Sequence, residues 1–182
     1  MRLVGTQDDP EPDWVLAALQ KHEGALLRYA ASLVGETRAQ DVVQDAFLRL
    51  CSQPVESVQG HLAAWLFTVC RNRALELRRA DRRLSRIEEK EGMLESPDSG
   101  PGVKLERAEN LSRVGTAMAA LPKKQREVLR LKIEAGLSYK DIAEVMNLTV
   151  GNVGFILHKA IARLREALTE QEQPPRAEGS TP

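Results

Sequence analysis

Hydrophobic residues recur at the spacing of amphipathic helices in two separate blocks of the chain. In the first block, apolar side chains follow a period of three to four residues across 14–33, across 41–50 and from Leu62 onward. The same period returns over 111–134 and 142–164. Because a helix that repeats an apolar residue every three or four positions buries one face, both blocks are predicted to be helical.

Glycine, proline and cap-forming residues predict where the helices of the first block begin and end. Gly35 is predicted to end the first helix, because glycine readily adopts the positive φ found at helix ends. Whether the first helix is also interrupted near Gly24 is left undecided by the pattern. Residues 37–40 have the spacing of a capping box, which predicts the start of the second helix, and residues 54–60 are predicted to form a loop. The residues predicted to face inward are Val42, Val43, Ala46, Phe47, Leu50, Leu62, Trp65, Leu66 and Val69.

The second block contains the pattern of a helix-turn-helix within residues 138–157. Ser138 is an N-cap candidate with Asp141 three positions later, and Asn147 suits a left-handed stop. Thr149 is then predicted to cap a longer helix, so that two helices meet at a tight break. An ordinary helical hairpin remains the alternative. The residues predicted to face inward in this block include Val114, Met118, Leu121, Val128, Leu129, Ile133, Ile142, Ala143, Val145, Met146, Val153, Leu157, Ile161 and Leu164.

Composition separates the two blocks from each other and from the end of the chain. Residues 84–106 are polar, acidic and contain a run rich in Gly, Pro and Ser, so they are predicted to form a flexible linker. Residues 171–182 are predicted to form a disordered tail for the same reason. The predicted fold is therefore all-α, with two small helical domains at 13–83 and 107–170, the second carrying the helix-turn-helix.

The distribution of charge adds a nucleic-acid hypothesis. The 182 residues carry 26 basic and 26 acidic side chains, a balance that excludes a histone-like polycation. Residues 13–83 are nevertheless net +2 and residues 107–170 net +4, whereas residues 84–106 are net −3. The densest basic patch, with six arginines, lies between Arg71 and Arg83. Such a patch attracts a phosphate backbone, although a solvated helix face is the alternative.

Other features exclude several classes of protein. Aromatic residues make up only 4% of the chain, which disfavours a many-stranded β-fold. Two cysteines cannot form a disulfide framework, and three scattered histidines lack the spacing of a zinc site, so neither a metal nor a cofactor is expected. Cys51 and Cys70 are expected to be buried thiols. The absence of a long apolar run predicts a cytoplasmic protein without membrane insertion.

Several stretches, taken in order, resemble the extracytoplasmic-function (ECF) sigma factors of bacteria. Residues 41–50 (DVVQDAFLRL) are similar to the family's polymerase-binding helix, and residues 64–74 (AWLFTVCRNRA) to its promoter-melting helix. Residues 121–129 resemble the opening of region 4, and residues 136–143 with 150–153 resemble its helix-turn-helix. The resemblance implies a transcription initiation factor whose partners are core RNA polymerase and promoter DNA, read at its −10 and −35 elements.

The resemblance also assigns residues to three surfaces. The residues implied in polymerase binding are Asp41, Gln44, Asp45 and Leu48, an acidic stripe with one leucine opposite the apolar face of its helix. Those implied in −10 recognition and melting are Ser57, Gln59, His61, Arg71, Asn72, Arg78, Arg79 and Arg82. Those implied in −35 recognition are Thr149, Gly151, Asn152, Phe155, His158 and Lys159. Trp65 has a ring suited to stacking on an open base, but its helical register favours a core position.

The second helix of the helix-turn-helix departs from the family pattern. The family usually has Thr at position 152 and a Lys or Arg, Ser and Arg over 154–156, where this chain has Asn152, Gly154, Phe155 and Ile156. Three explanations remain open, of which we favour the first. The −35 sequence differs from the family norm, the helix binds DNA weakly, or Phe155 and Ile156 form an apolar patch that docks a protein such as an anti-sigma factor.

Two further classes of function stay as alternatives to a sigma factor. One is a helix-turn-helix regulator that does not act through core polymerase, and the other is a helical protein-binding adaptor. An enzyme is not expected, because no nucleophile with its base and no phosphate-binding glycine loop is present. Association with core polymerase separates the leading hypothesis from the regulator.

Overall fold

The structure, a computed structural model, describes residues 13–91 and 105–170. The chain divides into two units, Met1–Lys90 and Glu91–Pro182. Within the described ranges every regular element is an α-helix. The prediction of an all-α fold with two helical modules is confirmed.

Each unit contributes four helices from its described part. In the first unit these are α1 (Asp13–Val34), α2 (Glu36–Cys51), α3 (Val55–Val58) and α4 (Leu62–Glu91). In the second unit they are α5 (Leu105–Ala120), α6 (Lys123–Ile133), α7 (Tyr139–Met146) and α8 (Val150–Glu170).

Gly35 joins α1 to α2 with a single residue. Its φ of 81° ends α1, as predicted. The same residue is the N-cap of α2 and makes no side-chain cap, so the capping box predicted at 37–40 is wrong: Thr37 already lies inside the first turn. The break considered near Gly24 is also absent, because α1 runs through it and the surrounding alanines and leucines favour helix.

The core of the first unit is built from one face of each long helix. The five inward residues predicted for α2 are all buried, and Ala39 joins them. Tyr29 of α1 meets Phe67 of α4 edge to face, with ring centroids 5.4 Å apart. On α4, however, Leu66 is buried whereas Leu62, Trp65 and Val69 are only half-buried. The positions that pack fully inward are Ala64, Leu66, Phe67, Cys70 and Ala74.

Two predicted irregular segments are partly helical. The predicted loop 54–60 contains the single turn α3, whose Val58 is buried in the core. Helix α4 continues to Glu91, so residues 84–91, predicted as the start of a flexible linker, are helical. The rest of that linker up to residue 104 and the predicted tail 171–182 lie outside the described residues.

In the second unit, α8 packs against α5, α6 and α7. The residues of its core are Ala117, Leu121, Val128, Leu129, Leu131, Leu137, Ile142, Ala143, Val145, Met146, Val153, Ile156, Leu157 and Ala160. Three residues predicted to face inward, Val114, Ile133 and Ile161, are exposed instead. Leu131 is buried in place of Ile133, because the packed face of α6 is centred on Val128 and Leu131.

Arginine and backbone contacts close the connection between α5 and α6. The Arg126 guanidinium donates to the carbonyl oxygens of Ala119 and Leu121, the second at 2.9 Å. Ala119 lies in the last turn of α5 and Leu121 directly follows the helix, where carbonyl oxygens lack a helical N–H partner. Arg163 of α8 donates to Gln125 Oε1 at 3.2 Å and thereby ties α8 to α6.

No single helix among the described residues is long and apolar enough to cross a bilayer. Helices α7 and α8 reach that length and composition only as a pair, and the pair is bent by 100°. The apolar face of α7 is packed into the core of the second unit.

Candidate protein-docking and nucleic-acid surfaces

The first candidate surface is the α2 stripe, made of Asp41, Gln44, Asp45 and Leu48. Asp41 and Gln44 are exposed, and the Leu48 side chain is 61% exposed. An apolar residue this open on a polar face is a suitable anchor for a protein partner. The stripe lies opposite the buried face of α2, as its spacing predicted.

Asp45 differs from the other members of the α2 stripe because it is already paired. Its carboxylate lies 3.0 Å from Arg49 on the same helix and 3.8 Å from Arg73 on α4, and its side chain is 33% exposed. The pair with Arg73 ties α2 to α4. Asp45 therefore has a structural contact inside the unit, whereas Asp41, Gln44 and Leu48 face outward.

A groove that the sequence did not predict runs beside the α2 stripe. It has a volume of about 300 Å³ and lies between α1 and α2. Its walls are Leu19, Glu23, Leu27, Gln40, Val43, Gln44 and Phe47, so Gln44 belongs to both the groove and the stripe. The groove needs side chains from two helices, and the pattern of one helix therefore could not indicate it.

The second candidate surface is the arginine face of α4, made of Arg78, Arg79, Arg82 and Arg83. The acidic residue nearest in sequence, Asp81, is held from α2 by Arg38, whose Nη1 lies 2.6 and 2.7 Å from the two carboxylate oxygens. The hydrogen bond to Asp81 and its negative charge raise the pKa of Arg38. Among the described side chains, the four arginines of this face form no ion pair, which leaves their charge available to an anionic partner.

Other charges of the α4 basic patch are engaged within the unit. Arg73 lies 3.4 Å from Glu76 as well as near Asp45. Arg71 is half-buried and has a partner, whereas Asn72 is exposed. The −10 residues predicted on α4 therefore lie on one helix but differ in their solvent exposure and in whether they are paired within the unit.

Helix α3 and the short loop between α3 and α4 carry the remaining predicted −10 residues. Ser57 is exposed, and its hydroxyl donates to the Pro54 carbonyl oxygen at 2.7 Å. Gln59 is exposed and His61 half-buried, on either side of Gly60 with its φ of 88°. The loop enters α4 directly, so these side chains lie at the amino-terminal end of the helix that carries the arginine face.

Trp65 corrects the expectation of a core tryptophan. Its side chain is half-buried, and the core positions of α4 lie on another side of the helix. Residues seven positions apart lie on the same side of a helix, so Trp65, Asn72 and Arg79 lie along one side of α4. The stacking role considered for Trp65 is therefore compatible with its position.

Local hydrogen bonds build the helix-turn-helix as predicted. Ser138 Oγ accepts from the Asp141 N–H at 3.2 Å, and Asp141 accepts in return from the Ser138 N–H at 3.0 Å, a complete capping box. Asn147 ends α7 in the left-handed conformation, with φ 51° and ψ 56°. Thr149 Oγ1 then accepts from the Asn152 N–H at 3.2 Å and caps α8.

The third candidate surface is the α8 strip, made of Gly151, Asn152, Phe155, His158 and Lys159. All five residues are exposed, and the Phe155 ring is 58% exposed. Ile156 is 8% exposed and belongs to the core, so the proposed apolar patch of Phe155 and Ile156 is wrong. The Lys159 ammonium lies 4.6 Å from the centroid of the Phe155 ring, within cation–π distance.

Gly154 lies beside the α8 strip against an aromatic ring of α7. A Cβ added at Gly154 would lie 3.7 Å from Cε2 of Tyr139. A long cationic side chain, which the family usually has there, would have to pass that ring. The Tyr139 ring is exposed and has Lys132 Nζ 5.5 Å from its centroid.

The two cysteines lie in different environments. Cys70 is buried, and burial raises the pKa of its thiol to about 12. Cys51 is exposed, so the expectation that it is buried is wrong. Across the described ranges, His, Cys, Asp and Glu residues do not gather in a group of three that could hold a metal ion.

Comparison with known protein families matches both units. Residues 18–84 match the model of sigma-70 region 2, and residues 111–164 match the model of sigma-70 region 4. The first range contains the α2 stripe and the arginine face, and the second contains the α8 strip.

Similar proteins are known in several bacteria. The ECF RNA polymerase sigma factor SigL of Mycobacterium tuberculosis is 31% identical over 159 residues, spanning 85% of this chain and 88% of SigL. EcfG of Rhodopseudomonas palustris is 35% identical over 162 residues, spanning 86% and 83%. The sigma factor RpoE from Bartonella quintana, solved with the anti-sigma factor NepR, superposes with a TM-score of 0.63 at 25% identity over 88% of this chain and 97% of RpoE. The chain therefore belongs to the ECF RNA polymerase sigma factors, the transcription initiation factors that bind core RNA polymerase and promoter DNA.

Proposed function

We propose that this chain docks on core RNA polymerase through the α2 stripe and directs it to promoters through the arginine face and the α8 strip. The exposed Leu48 supplies an apolar anchor, and Asp41 supplies a charge that steers association. The adjoining groove between α1 and α2 extends this surface. Asp45 orients the stripe through its ion pair with Arg73 more than it contacts the polymerase.

The arginine face binds the −10 element and holds the opened strand. Its four arginines contact phosphates, while Asn72 and Trp65, about 9 and 20 Å toward the amino-terminal end of the same helix, contact the unpaired bases. The loop with Ser57, Gln59 and His61 receives a base that leaves the duplex. Because unstacking a base costs a few kcal/mol, contacts of this kind are needed to offset it.

The α8 strip binds the −35 element in the major groove. Asn152 has the amide geometry to read an adenine, and Lys159 and His158 approach the phosphate backbone. The observation that carries the whole proposal is the arginine face: four arginines near the carboxyl-terminal end of α4 form no ion pair among the described side chains. The half-buried Trp65 lies about 20 Å toward the amino-terminal end of the same helix.

A regulator that never touches polymerase is the weaker alternative. The match of residues 18–84 to sigma-70 region 2 favours a polymerase-binding first unit. The protein would act in the cytoplasm, where the polymerase is, and would have no catalytic activity of its own. An anti-sigma factor is a proposed partner, because the similar RpoE was solved with one.

In vitro transcription tests this function directly. Core polymerase from the same bacterium is incubated with a genomic fragment library, with and without the full chain, and start sites are sequenced. New start sites that share two upstream elements are the expected result. If the chain adds no start site on any template, the proposed function is wrong.

A further inference from the structure

Phe155 is the single large apolar side chain in the middle of the α8 strip. Gly151 and Asn152 precede it by one helical turn, and His158 and Lys159 follow it by one turn. The neighbouring apolar residue Ile156 is buried, so Phe155 and Ile156 form no apolar patch for docking a protein. The other exposed ring nearby, Tyr139 of α7, borders Gly154 and carries a polar hydroxyl group. A ring that is 58% exposed at the centre of a polar strip is suited to contact one small apolar group of a partner.

The major groove of DNA offers one such group. Its floor consists of hydrogen-bond donors and acceptors, except at thymine, where the C5-methyl group projects into the groove. Adenine, guanine and cytosine would leave the Phe155 ring against polar atoms. The chemistry of the groove therefore assigns a thymine methyl to this ring.

Lys159 and Gly154 fit the same interpretation. The Lys159 ammonium lies over the Phe155 ring at 4.6 Å, which favours one orientation of the ring and keeps the cation on the DNA-facing side of α8. Gly154 removes the long side chain that would otherwise stand next to Phe155, and its place is bordered by the Tyr139 ring. At positions 154–156 this chain thus lacks the cationic side chains that are usual in the family and has an aromatic side chain, Phe155, that can contact DNA.

We infer that Phe155 is a specificity-determining residue that contacts the C5-methyl group of one thymine in the −35 element. This inference rests on the proposed function, because it requires α8 to lie in the major groove of promoter DNA. It adds one chemical criterion for the promoter: a thymine at one position whose methyl group, and not its hydrogen bonds alone, is read.

Deoxyuridine tests the inference, because it differs from thymidine only by the missing methyl group. A promoter found in the transcription assay is first randomised over its −35 region and reselected with the holoenzyme formed from core polymerase and the full chain. Each thymine of the selected −35 region, on either strand, is then replaced singly by deoxyuridine. At one position the replacement is expected to reduce open-complex formation about three- to fivefold, the effect of removing one buried methyl group.

Two variants of Phe155 connect that reduction to the ring. Phe155→Ala is expected to bind the thymine promoter as weakly as the wild type binds the deoxyuridine promoter, with no further reduction on deoxyuridine. Phe155→Leu keeps an apolar group and is expected to keep part of the preference for thymine. Since Phe155 is exposed, both variants are expected to retain the helical circular dichroism of the wild type.

The outcomes separate this inference from the proposed function. A holoenzyme that initiates but selects no thymine in the −35 region, or ignores every deoxyuridine, overturns the Phe155 assignment alone. A preference for thymine that survives in Phe155→Ala also overturns it. A chain that supports no initiation overturns the proposed function, and the assignment with it.

Discussion

Gly154 lies inside α8, where glycine weakens a helix because its backbone loses more freedom on folding than that of alanine. The Cβ of an alanine there would meet Tyr139 at an ordinary van der Waals distance of 3.7 Å. Gly154→Ala is therefore expected to stabilise α8 by about 0.5–1 kcal/mol. Hydrogen exchange of α8 amides in the full chain measures the effect as slower exchange.

Gly136 is the matched control for Gly154. Its φ of 67° lies in the left-handed region, where an added side chain is strained. Gly136→Ala is expected to destabilise the second unit by about 1 kcal/mol or more. Equal effects of the two substitutions would contradict the assigned backbone roles.

Cys51 and Cys70 are expected to react differently with a thiol reagent. In the native chain at about pH 8, Cys51 is exposed and should be labelled, while buried Cys70 with its pKa of about 12 should not. Denaturation should release the second thiol, and Cys51→Ser should abolish native labelling. Labelling of both thiols in the native chain would contradict the burial of Cys70.

Burial of Cys70 also has a consequence at high pH. Unfolding returns its pKa from about 12 to 9.0, so the unfolded chain loses this proton first as pH rises. The contribution of Cys70 to folding is therefore complete below pH 9.0 and declines as the pH rises above it.

Trp65 provides a test of base stacking. Trp65→Leu keeps an apolar side chain on the half-buried side of α4 but removes the aromatic face, whereas Trp65→Phe keeps a ring. Because a stacked base contributes about 1–3 kcal/mol, the leucine variant is expected to form open complexes at least fivefold less well. Fluorescence of 2-aminopurine in the −10 region measures opening of the promoter duplex. Equal opening by both variants would indicate that Trp65 only packs against the protein.

Helix α4 combines structural and exposed charges along its length. Arg73 and Asp81 are paired with α2, through Asp45 and Arg38 respectively. These pairs lie in the exposed or half-exposed zone of the unit, so their contribution to stability is small. The Arg38–Asp81 pair also cancels the acidic charge next to the arginine face.

The double substitution Arg78→Ala with Arg79→Ala is expected to reduce open-complex formation more than polymerase binding. Removing each arginine–phosphate interaction should also lower the slope of log affinity against log salt by about 0.7–0.9. Binding of fluorescent holoenzyme to promoter DNA at several salt concentrations gives both the affinity and the slope.

The control for the arginine face removes two cations from the same unit. Lys21→Ala with Arg28→Ala changes the net charge equally but lies on α1, where both side chains are exposed. This control is expected to leave open-complex formation nearly unchanged. An equal reduction in both double variants would indicate general charge and not the arginine face.

In the whole molecule, polymerase binding by the α2 stripe and DNA binding by the α8 strip should be separable by mutation. Leu48→Asp removes the apolar anchor and is expected to weaken association with core polymerase at least tenfold, since burying a leucine contributes about 1.5–3 kcal/mol. Duplex binding through α8 should not change. Surface-bound core polymerase measures the first property, and fluorescence anisotropy of a promoter duplex the second.

Leu16 supplies the control for Leu48. It is the other leucine of the first two helices that is exposed, and it lies outside both the stripe and the groove. Leu16→Asp is expected to leave polymerase affinity unchanged. Weaker affinity in both variants would contradict a docking surface centred on Leu48.

Helix ends and the helix-turn-helix follow from neighbours in sequence. The Ser138–Asp141 box, the Asn147 stop and the Thr149 cap each join groups within three or four residues, so their pattern predicted them correctly. The Thr37 prediction failed because Gly35 made the connection one residue long and carried the chain directly into α2. The residues near a helix end therefore determine its position, unless the preceding connection moves the start of the helix, as Gly35 does.

Burial and pairing across the two units follow from neighbours in space. Apolar residues occur on more than one side of α4 and α6, and only the helices packed against them select Phe67 over Trp65 and Leu131 over Ile133. The Arg38–Asp81 pair joins positions 43 residues apart, which no local period encodes. The helical period and the caps depend on residues within one turn of each other, so the amino-acid sequence alone determines them. The unpaired arginine face and the exposed Phe155 are decided by the tertiary structure, because they depend on which other residues the neighbouring helices pair or bury.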